Sequence, residues 1–183
     1  IGRSVALLAM YVGTFVLCGF YVSLGAPTAL ESVRQLLTLL IVVVLTVGIS
    51  VMLAESIAGW QAELAPLVLF GMIAAVAYRQ TLALLFSAAV VLFTVVGKGM
   101  GLAEALILIA SISGAILTLG RVRSRSKLLF VGLAAAVVAF GTSMGIGVIG
   151  GEVPFSDLIV QAARLALWAV IAGSLMTCLL PLV

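Results

Sequence analysis

Long apolar runs with almost no charge are the feature that most restricts how this sequence folds. The stretch from Leu36 to Val44 is aliphatic apart from Thr38, and 8% of the 183 residues are charged while 65% are hydrophobic. A soluble domain has roughly a quarter charged residues. Strands of a β-barrel alternate apolar and polar residues, and this stretch does not alternate. The sequence therefore predicts an all-α, polytopic integral membrane bundle.

The apolar runs divide the chain into seven predicted transmembrane segments. A hydrocarbon core about 30 Å thick requires about 20 helical residues to cross it. The segments run over 5–24, 36–54, 66–78, 81–96, 102–119, 128–149 and 155–180. The third and fourth are short and separated only by Arg79 and Gln80. A tilted or re-entrant hairpin is therefore the alternative to two full spans there.

Proline and glycine mark several ends of these segments. Pro66 suits the first turn of the third segment, where the missing N–H has no helical partner. The run from Gly97 to Gly101 predicts a flexible turn. The glycine-rich tract from Gly145 to Gly151 allows two interpretations, a helix end or a stretch unwound to form a site, as in transporters.

A basic loop, residues 121–127, predicts the orientation of the chain. It contains Arg121, Arg123, Arg125 and Lys127. Loops rich in Lys and Arg stay on the cytoplasmic side, so we expect the N-terminus outside and the C-terminus in the cytoplasm. The inner segments then hold six Lys or Arg residues and the outer segments two. The other inner residues are Arg34 and Arg79, and the outer ones are Arg3 and Lys98.

Arg164 is the cation that lies within an apolar segment. An arginine at mid-bilayer costs about 2.5–3.5 kcal/mol on insertion scales, so it requires a partner or a wet cavity. Three interpretations are open. The side chain reaches the outer surface near Glu104 or Glu152, it binds an anion or relays a signal, or it contacts Gln161. The candidate ligand-binding residues are Arg164, Gln161, Trp168 and Glu104.

The composition argues against several classes of site. There is no histidine, and histidine is the commonest metal ligand and general base. We therefore expect no catalytic residue, metal site or cofactor in these residues. We also expect no nucleic-acid binding, because the basic residues do not cover a soluble face.

Small residues recur at four-residue spacing, which favours close helix packing. The pairs are Gly141 and Gly145, Gly147 and Gly151, and Ala110 and Gly114. The alternative interpretation is the seam of a homodimer. The lipid bilayer is the partner that the composition itself predicts.

The chain begins with Ile1 and ends at Val183 without a polar tail. We expect a single membrane domain over residues 1–183, cut from a longer protein at both ends.

Three stretches resemble the seven-helix membrane region of receptors that carry a cytoplasmic HD-type phosphohydrolase domain. The first runs from Leu119 to Leu129 and continues in Gly132 to Ala136. The second is the link from Ala77 to Leu85, and the third is the closing run from Ala172 to Pro181. The resemblance covers most of the chain in layout.

The resemblance implies a sensor domain before this region and an HD domain after it. The HD domain of this family hydrolyses cyclic-di-AMP at a two-metal His/Asp centre, so a divalent metal pair is expected there. The resemblance also implies a multi-pass protein of the bacterial inner membrane whose soluble domains are its partners. No catalytic residue transfers to this sequence, which has no histidine.

Three functions follow from these features. The first is a sensory module that couples an extracytoplasmic or lipid-derived signal to the HD phosphodiesterase through helix packing. The second is a small transporter or channel subunit with a site near Arg164. The third is a passive anchor that holds soluble domains at the membrane.

Overall fold

The computed structural model describes residue 16 and residues 33–56, 60–78, 80–119, 125–151 and 154–179. Six helices make up almost all of these residues, and the same residues contain no strand. The helices are α1 Val33–Ser56, α2 Leu64–Ala77, α3 Gln80–Lys98, α4 Leu102–Leu119, α5 Arg125–Gly150 and α6 Phe155–Leu179. The predicted all-helical bundle is confirmed for this part of the chain.

Within the described ranges, four helical stretches have the length and composition to cross a membrane. They are Gln80–Lys98, Leu102–Leu119, Leu128–Gly150 and Phe155–Leu179. The apolar stretches Ile41–Leu53 and Leu64–Ala77 are shorter. The first predicted segment, 5–24, lies outside the described residues apart from residue 16.

The six predicted segments that fall on described helices agree with them to within three residues, and the largest differences are at the starts of α1 and α5. Helix α5 begins at Arg125, so the last three residues of the predicted basic loop belong to it. The hypothesis of an unwound glycine tract is wrong, because α5 continues through that tract to Gly150. The side chain of Leu158 on α6 packs directly against Gly147, which holds the tract in the bundle.

Glycines form the ends of α3 and α5, where the backbone turns left-handed. Gly99 has φ +70° directly after α3, and the following N–H of Met100 donates to the carbonyl oxygen of Val95 at 2.9 Å. Gly151 has φ +63° after α5, and its N–H donates to the carbonyl oxygen of Gly147 at 3.1 Å. Glycine adopts this conformation without steric cost. The predicted turn after α3 is therefore confirmed, two residues later than its predicted start.

The short helix α2 lies at the centre of the bundle and packs against α1, α3, α4 and α6. Its buried residues include Leu64, Leu67, Val68 and Met72. Fourteen residues reach only about 21 Å, less than the hydrocarbon thickness of about 30 Å. A central helix of this length leaves room at one end for the loop that precedes it.

Helices α5 and α6 form the most extensive helix pair of the described residues. Their backbones meet at Gly132 and Gly173, where a Cβ built on Gly173 lies 2.6 Å from Cα of Gly132. This is the close approach that small residues permit in membrane bundles. The predicted packing role of Gly114 is also confirmed, against Val138. A Cβ built on Gly141 or Gly145, by contrast, meets no atom of a packing neighbour within 4 Å among the described residues.

We call the end of the bundle that carries Arg125 the basic end, and the opposite end, with residues 60–63 and 99–101, the distal end. Helix α5 extends about 20 Å from Val138 to its start at the basic end. Helix α4 extends only about 8 Å from Gly114, the partner of Val138, to its end at Leu119. The α5–α6 pair therefore projects beyond α4 at the basic end.

Candidate functional site

Trp60 lies in the segment before α2 and contacts α6 at two points. The indole N–H of Trp168 donates to the carbonyl oxygen of Trp60 at 2.8 Å. The guanidinium carbon of Arg164 lies 5.2 Å from the centroid of the Trp60 ring, in cation–π geometry. Arg164 and Trp168 share one face of α6 because they are four residues apart. We call these three residues the Trp60 clasp.

The Trp60 clasp lies well below the distal end of α6. Arg164 and Trp168 are about 13 Å and about 20 Å along the helix from its first residue, Phe155. Non-helical backbone at membrane depth is tolerated only where protein covers it or where it lines a wet cavity. Ala62 and Glu63 are indeed buried, at 0% and 4% exposure. The end of the turn over residues 60–63, Ala62 and Glu63, is therefore buried in the bundle, whereas Trp60 at its start is 46% exposed.

An ion pair links the segment 60–63 to helix α3. Nζ of Lys98 lies 3.2 Å from Oε1 of Glu63 and donates a hydrogen bond to it. The Glu63 side chain is 5% exposed and that of Lys98 is 23% exposed. Because Glu63 directly precedes α2, the pair joins the start of the central helix to the end of α3.

A small cavity of ≈ 20 Å³ lies beside the ion pair. Its lining residues are Gln61, Glu63, Met100, Glu104, Ile107, Leu108 and Leu165. Oε2 of Glu104 accepts a hydrogen bond from the backbone N–H of Gly101 at 3.2 Å, at the start of α4. Oε1 of Gln61 is buried and accepts no hydrogen bond within the described structure. Gln61, Glu63 and the exposed Glu104 are the polar residues of this lining, and the other four lining residues are apolar.

The structure brings together three of the four candidate ligand-binding residues. Arg164 and Trp168 lie on Trp60, and Glu104 lines the adjacent cavity. Gln161 is exposed and does not line that cavity. Arg164 contacts the ring of Trp60, and this contact was in none of the three interpretations.

Sequence reasoning missed the residues that complete the site. Neither Trp60 nor Glu63 was singled out from the sequence as a site residue, and Lys98 was counted only as an outer cation. Trp60 and Trp168 are 108 residues apart in sequence, so no local spacing joins them.

Of the four topology-determining residues, Arg125 and Lys127 lie in the first turn of α5, whereas Arg121 and Arg123 fall outside the described residues.

The hydrogen bond within the Trp60 clasp leads to a first prediction. Trp168→Phe keeps an aromatic ring but removes the indole N–H, so the Trp60 carbonyl oxygen loses its donor. We expect the free energy of unfolding to fall by about 1 kcal/mol. Denaturation of the purified protein in mixed micelles measures this, with Leu167→Ala, an exposed position of the same helix, as the control. Equal stability of Trp168→Phe and wild type would contradict the role given to this bond.

The clasp, ion pair and cavity lie next to one another and together form the candidate site. The described ranges contain no group of three or more Cys, Asp or Glu side chains arranged to hold a metal ion. The charged side chains are instead engaged with one another and with the Trp60 ring, between helices α2, α3, α4 and α6.

Comparison with known proteins agrees with a membrane region that serves another domain. A family model described as a 7TM receptor with an intracellular HD hydrolase matches residues 3–183. No curated protein and no solved structure matches the chain. Because the matched range covers nearly the whole sequence, the chain belongs to the family of 7TM receptors with an intracellular HD hydrolase.

Proposed function

We propose that this chain is the membrane sensory module that couples an extracytoplasmic or lipid-derived signal to a cytoplasmic HD phosphodiesterase. Membership of the family accounts for the receptor and for the intracellular hydrolase in this proposal. The proposal adds the substrate, a cyclic dinucleotide such as cyclic-di-AMP, and a divalent metal pair in the HD domain. It also adds seven spans in the inner membrane of a bacterium, with the N-terminus outside and the C-terminus inside.

The observation that carries this proposal is the set of contacts along α6. Near its middle the helix holds Trp60 through Arg164 and Trp168. Further along, Gly173 brings its backbone against Gly132 of α5. The same helix therefore joins the candidate recognition site to the end that projects beyond α4. A shift at Trp60 is passed to the basic end without any change in secondary structure.

The activity of the full-length protein in lipid vesicles tests the coupling. Mutations along a coupling route change the coupling free energy by about 0.5–2 kcal/mol, so hydrolysis of cyclic-di-AMP should change about 2- to 30-fold in Arg164→Gln. Leu167→Ala, on α6 but outside the clasp, should leave the rate unchanged. Equal rates in wild type and Arg164→Gln would contradict the proposal.

Reporter fusions test the orientation. A reporter placed after Arg125 should be cytoplasmic, and one placed after Glu152 should be outside, because the basic loop resists translocation. An extracytoplasmic reporter after Arg125 would overturn the proposed topology. A homodimer, which the unpacked Gly141 and Gly145 leave open, is tested by cross-linking in the same membranes.

A small transporter or channel subunit is the second candidate, and the observation that favours it is the small cavity beside the Trp60 clasp, with Glu63 and Glu104 in its lining. Uptake of an ion into vesicles that contain the protein, lost in Arg164→Ala, would support it. A passive anchor predicts unchanged signalling when the helices are replaced by unrelated ones.

A further inference from the structure

We propose that residues 60–63, directly before α2, are a two-state segment. In one state they form the turn described above, and in the other they wind into an added first turn of α2. This inference concerns the conformation of the protein. Only its use to control the HD domain rests on the function proposed above.

Gln61 has a backbone conformation that residues with a side chain disfavour. Its φ is +51°, and it is the one non-glycine residue with a positive φ among the described parts of the chain. A Cβ makes the left-handed region costly. The side-chain oxygen Oε1 of Gln61 is also buried and has no hydrogen-bond donor within the described ranges. The turn is therefore strained at Gln61, and such strain persists only where neighbouring contacts hold it.

The residues that follow Gln61 are already close to helical. Glu63 has φ −59° and ψ −22°, and its side chain makes no capping hydrogen bond to α2. The N–H of Leu64 donates to the carbonyl oxygen of Gln61 at 3.3 Å, and the N–H of Ala65 donates to that of Ala62 at 3.2 Å. These bonds join residues three apart, as in a 3₁₀-helix, whereas an α-helix joins residues four apart. Rotation of Gln61 into the right-handed region therefore extends α2 backwards by about one turn.

The carbonyl oxygen of Trp60 has a different donor in each state. In the turn it accepts from the indole N–H of Trp168 at 2.8 Å. In an α-helix over 60–77 its donor is the backbone N–H of Leu64, four residues on. A helical carbonyl points along the axis of its own helix, so it turns away from α6. The ring of Trp60, which lies 5.2 Å from the guanidinium carbon of Arg164, is displaced with it.

The two states have comparable free energies because each gains what the other lacks. The turn has the hydrogen bond and the cation–π contact of the Trp60 clasp, which are contributions of modest size. The helix removes the strain at Gln61, a cost of similar size. It also lengthens α2 from about 21 Å to about 27 Å, closer to the hydrocarbon thickness of about 30 Å. A small difference between two states is what allows a signal to shift their populations.

Fluorine NMR of the full-length protein in phosphatidylcholine nanodiscs measures the two states. The protein is labelled with fluorotryptophan, and the Trp60 signal is identified by its loss in Trp60→Phe. Slow exchange between turn and helix gives two resonances for Trp60, and fast exchange gives one averaged resonance. Either result reports the ratio of helix to turn.

Two substitutions should shift this ratio in opposite directions. Gln61→Gly removes the cost of the left-handed conformation and lowers the helix propensity, so it should favour the turn at least about fivefold. Trp168→Phe removes the donor to the Trp60 carbonyl and should favour the helix about fivefold. Gln61→Gly in the Trp168→Phe background should return the ratio towards that of wild type. Because both members of that comparison lack the indole of Trp168, its direct effect on the fluorine signal cancels.

Two further variants show whether the backbone of Gln61 is responsible. Gln61→Asn keeps the amide but tolerates the left-handed region, so it should favour the turn, though less than Gln61→Gly does. Leu167→Ala, an exposed position of α6 outside the Trp60 clasp, should leave the ratio unchanged. If Gln61→Gly leaves the ratio unchanged in both backgrounds, or shifts it towards the helix, the turn is a fixed cap of α2 and the inference is overturned.

Hydrolysis of cyclic-di-AMP separates this inference from the proposed function. A ratio that responds to Gln61→Gly and Trp168→Phe, with hydrolysis unchanged, supports the two-state segment and counts against its use in signalling. Hydrolysis that responds to Arg164→Gln, with a ratio insensitive to Gln61→Gly, supports the coupling and overturns the two-state segment.

Discussion

Gly173→Ala should lower the free energy of unfolding by about 2 kcal/mol, since forcing an extra methyl into a packed contact typically costs about 1–3 kcal/mol. The new Cβ would lie 2.6 Å from Cα of Gly132 and 3.1 Å from its nitrogen. Both atoms belong to backbone, so no side-chain rotation relieves the overlap and α5 and α6 must separate. Denaturation in mixed micelles, followed by circular dichroism, measures the loss.

Gly141→Ala is the matched control on α5. A Cβ at Gly141 has no packing neighbour within 4 Å among the described residues. Alanine is favoured over glycine in a helix by about 1 kcal/mol, so this variant should be as stable as wild type or more stable. If both variants lose the same stability, the contact between Gly132 and Gly173 has no special role. If neither does, the two backbones are further apart than the structure shows.

Lys98→Met should destabilise the protein by about 3 kcal/mol, because removing one partner leaves a buried charge uncompensated. The Glu63 side chain is 5% exposed and has its ion pair with Lys98. Methionine retains the length and apolar stem of lysine, so the variant removes mainly the ammonium. The same micelle denaturation measures the effect.

The double variant Glu63→Gln/Lys98→Met allows the interaction energy between the two side chains to be measured. With the carboxylate neutralised no buried charge is left, so the double variant should be more stable than Lys98→Met alone. Residues in contact show interaction energies of about 0.5–3 kcal/mol in such cycles. Strictly additive losses would show that Glu63 and Lys98 do not interact in the native protein.

The helices were predictable from the sequence because they depend on local composition. The fifth segment, 102–119, coincides with α4, since a turn rich in glycine precedes it and the basic loop follows. The start of α5 was missed by three residues because charge alone was taken as the end of the apolar run. Arg125 and Lys127 are good helix formers, and a helix in a membrane protein continues past the hydrocarbon boundary.

The site was only partly predictable because its contacts join distant parts of the chain. Arg164 was found, since a cation in an apolar segment is conspicuous in any sequence. Its contact with Trp60 was not, because that contact depends on α2 being short and on the turn before it entering the bundle. The same applies to Glu63, whose burial next to Lys98 follows from the packing of α2 against α3.

The close contact between Gly132 and Gly173 is a point about which α6 can tilt as a rigid helix. The arm from Gly173 to Arg164 is about 13 Å, and the arm from Gly173 to Leu179 is about 9 Å. Tilting α6 about this point moves its two ends in opposite directions, the far end by about two thirds of the displacement at Arg164. A displacement of about 2 Å at Trp60 therefore becomes a reversed displacement of somewhat more than about 1 Å at Leu179.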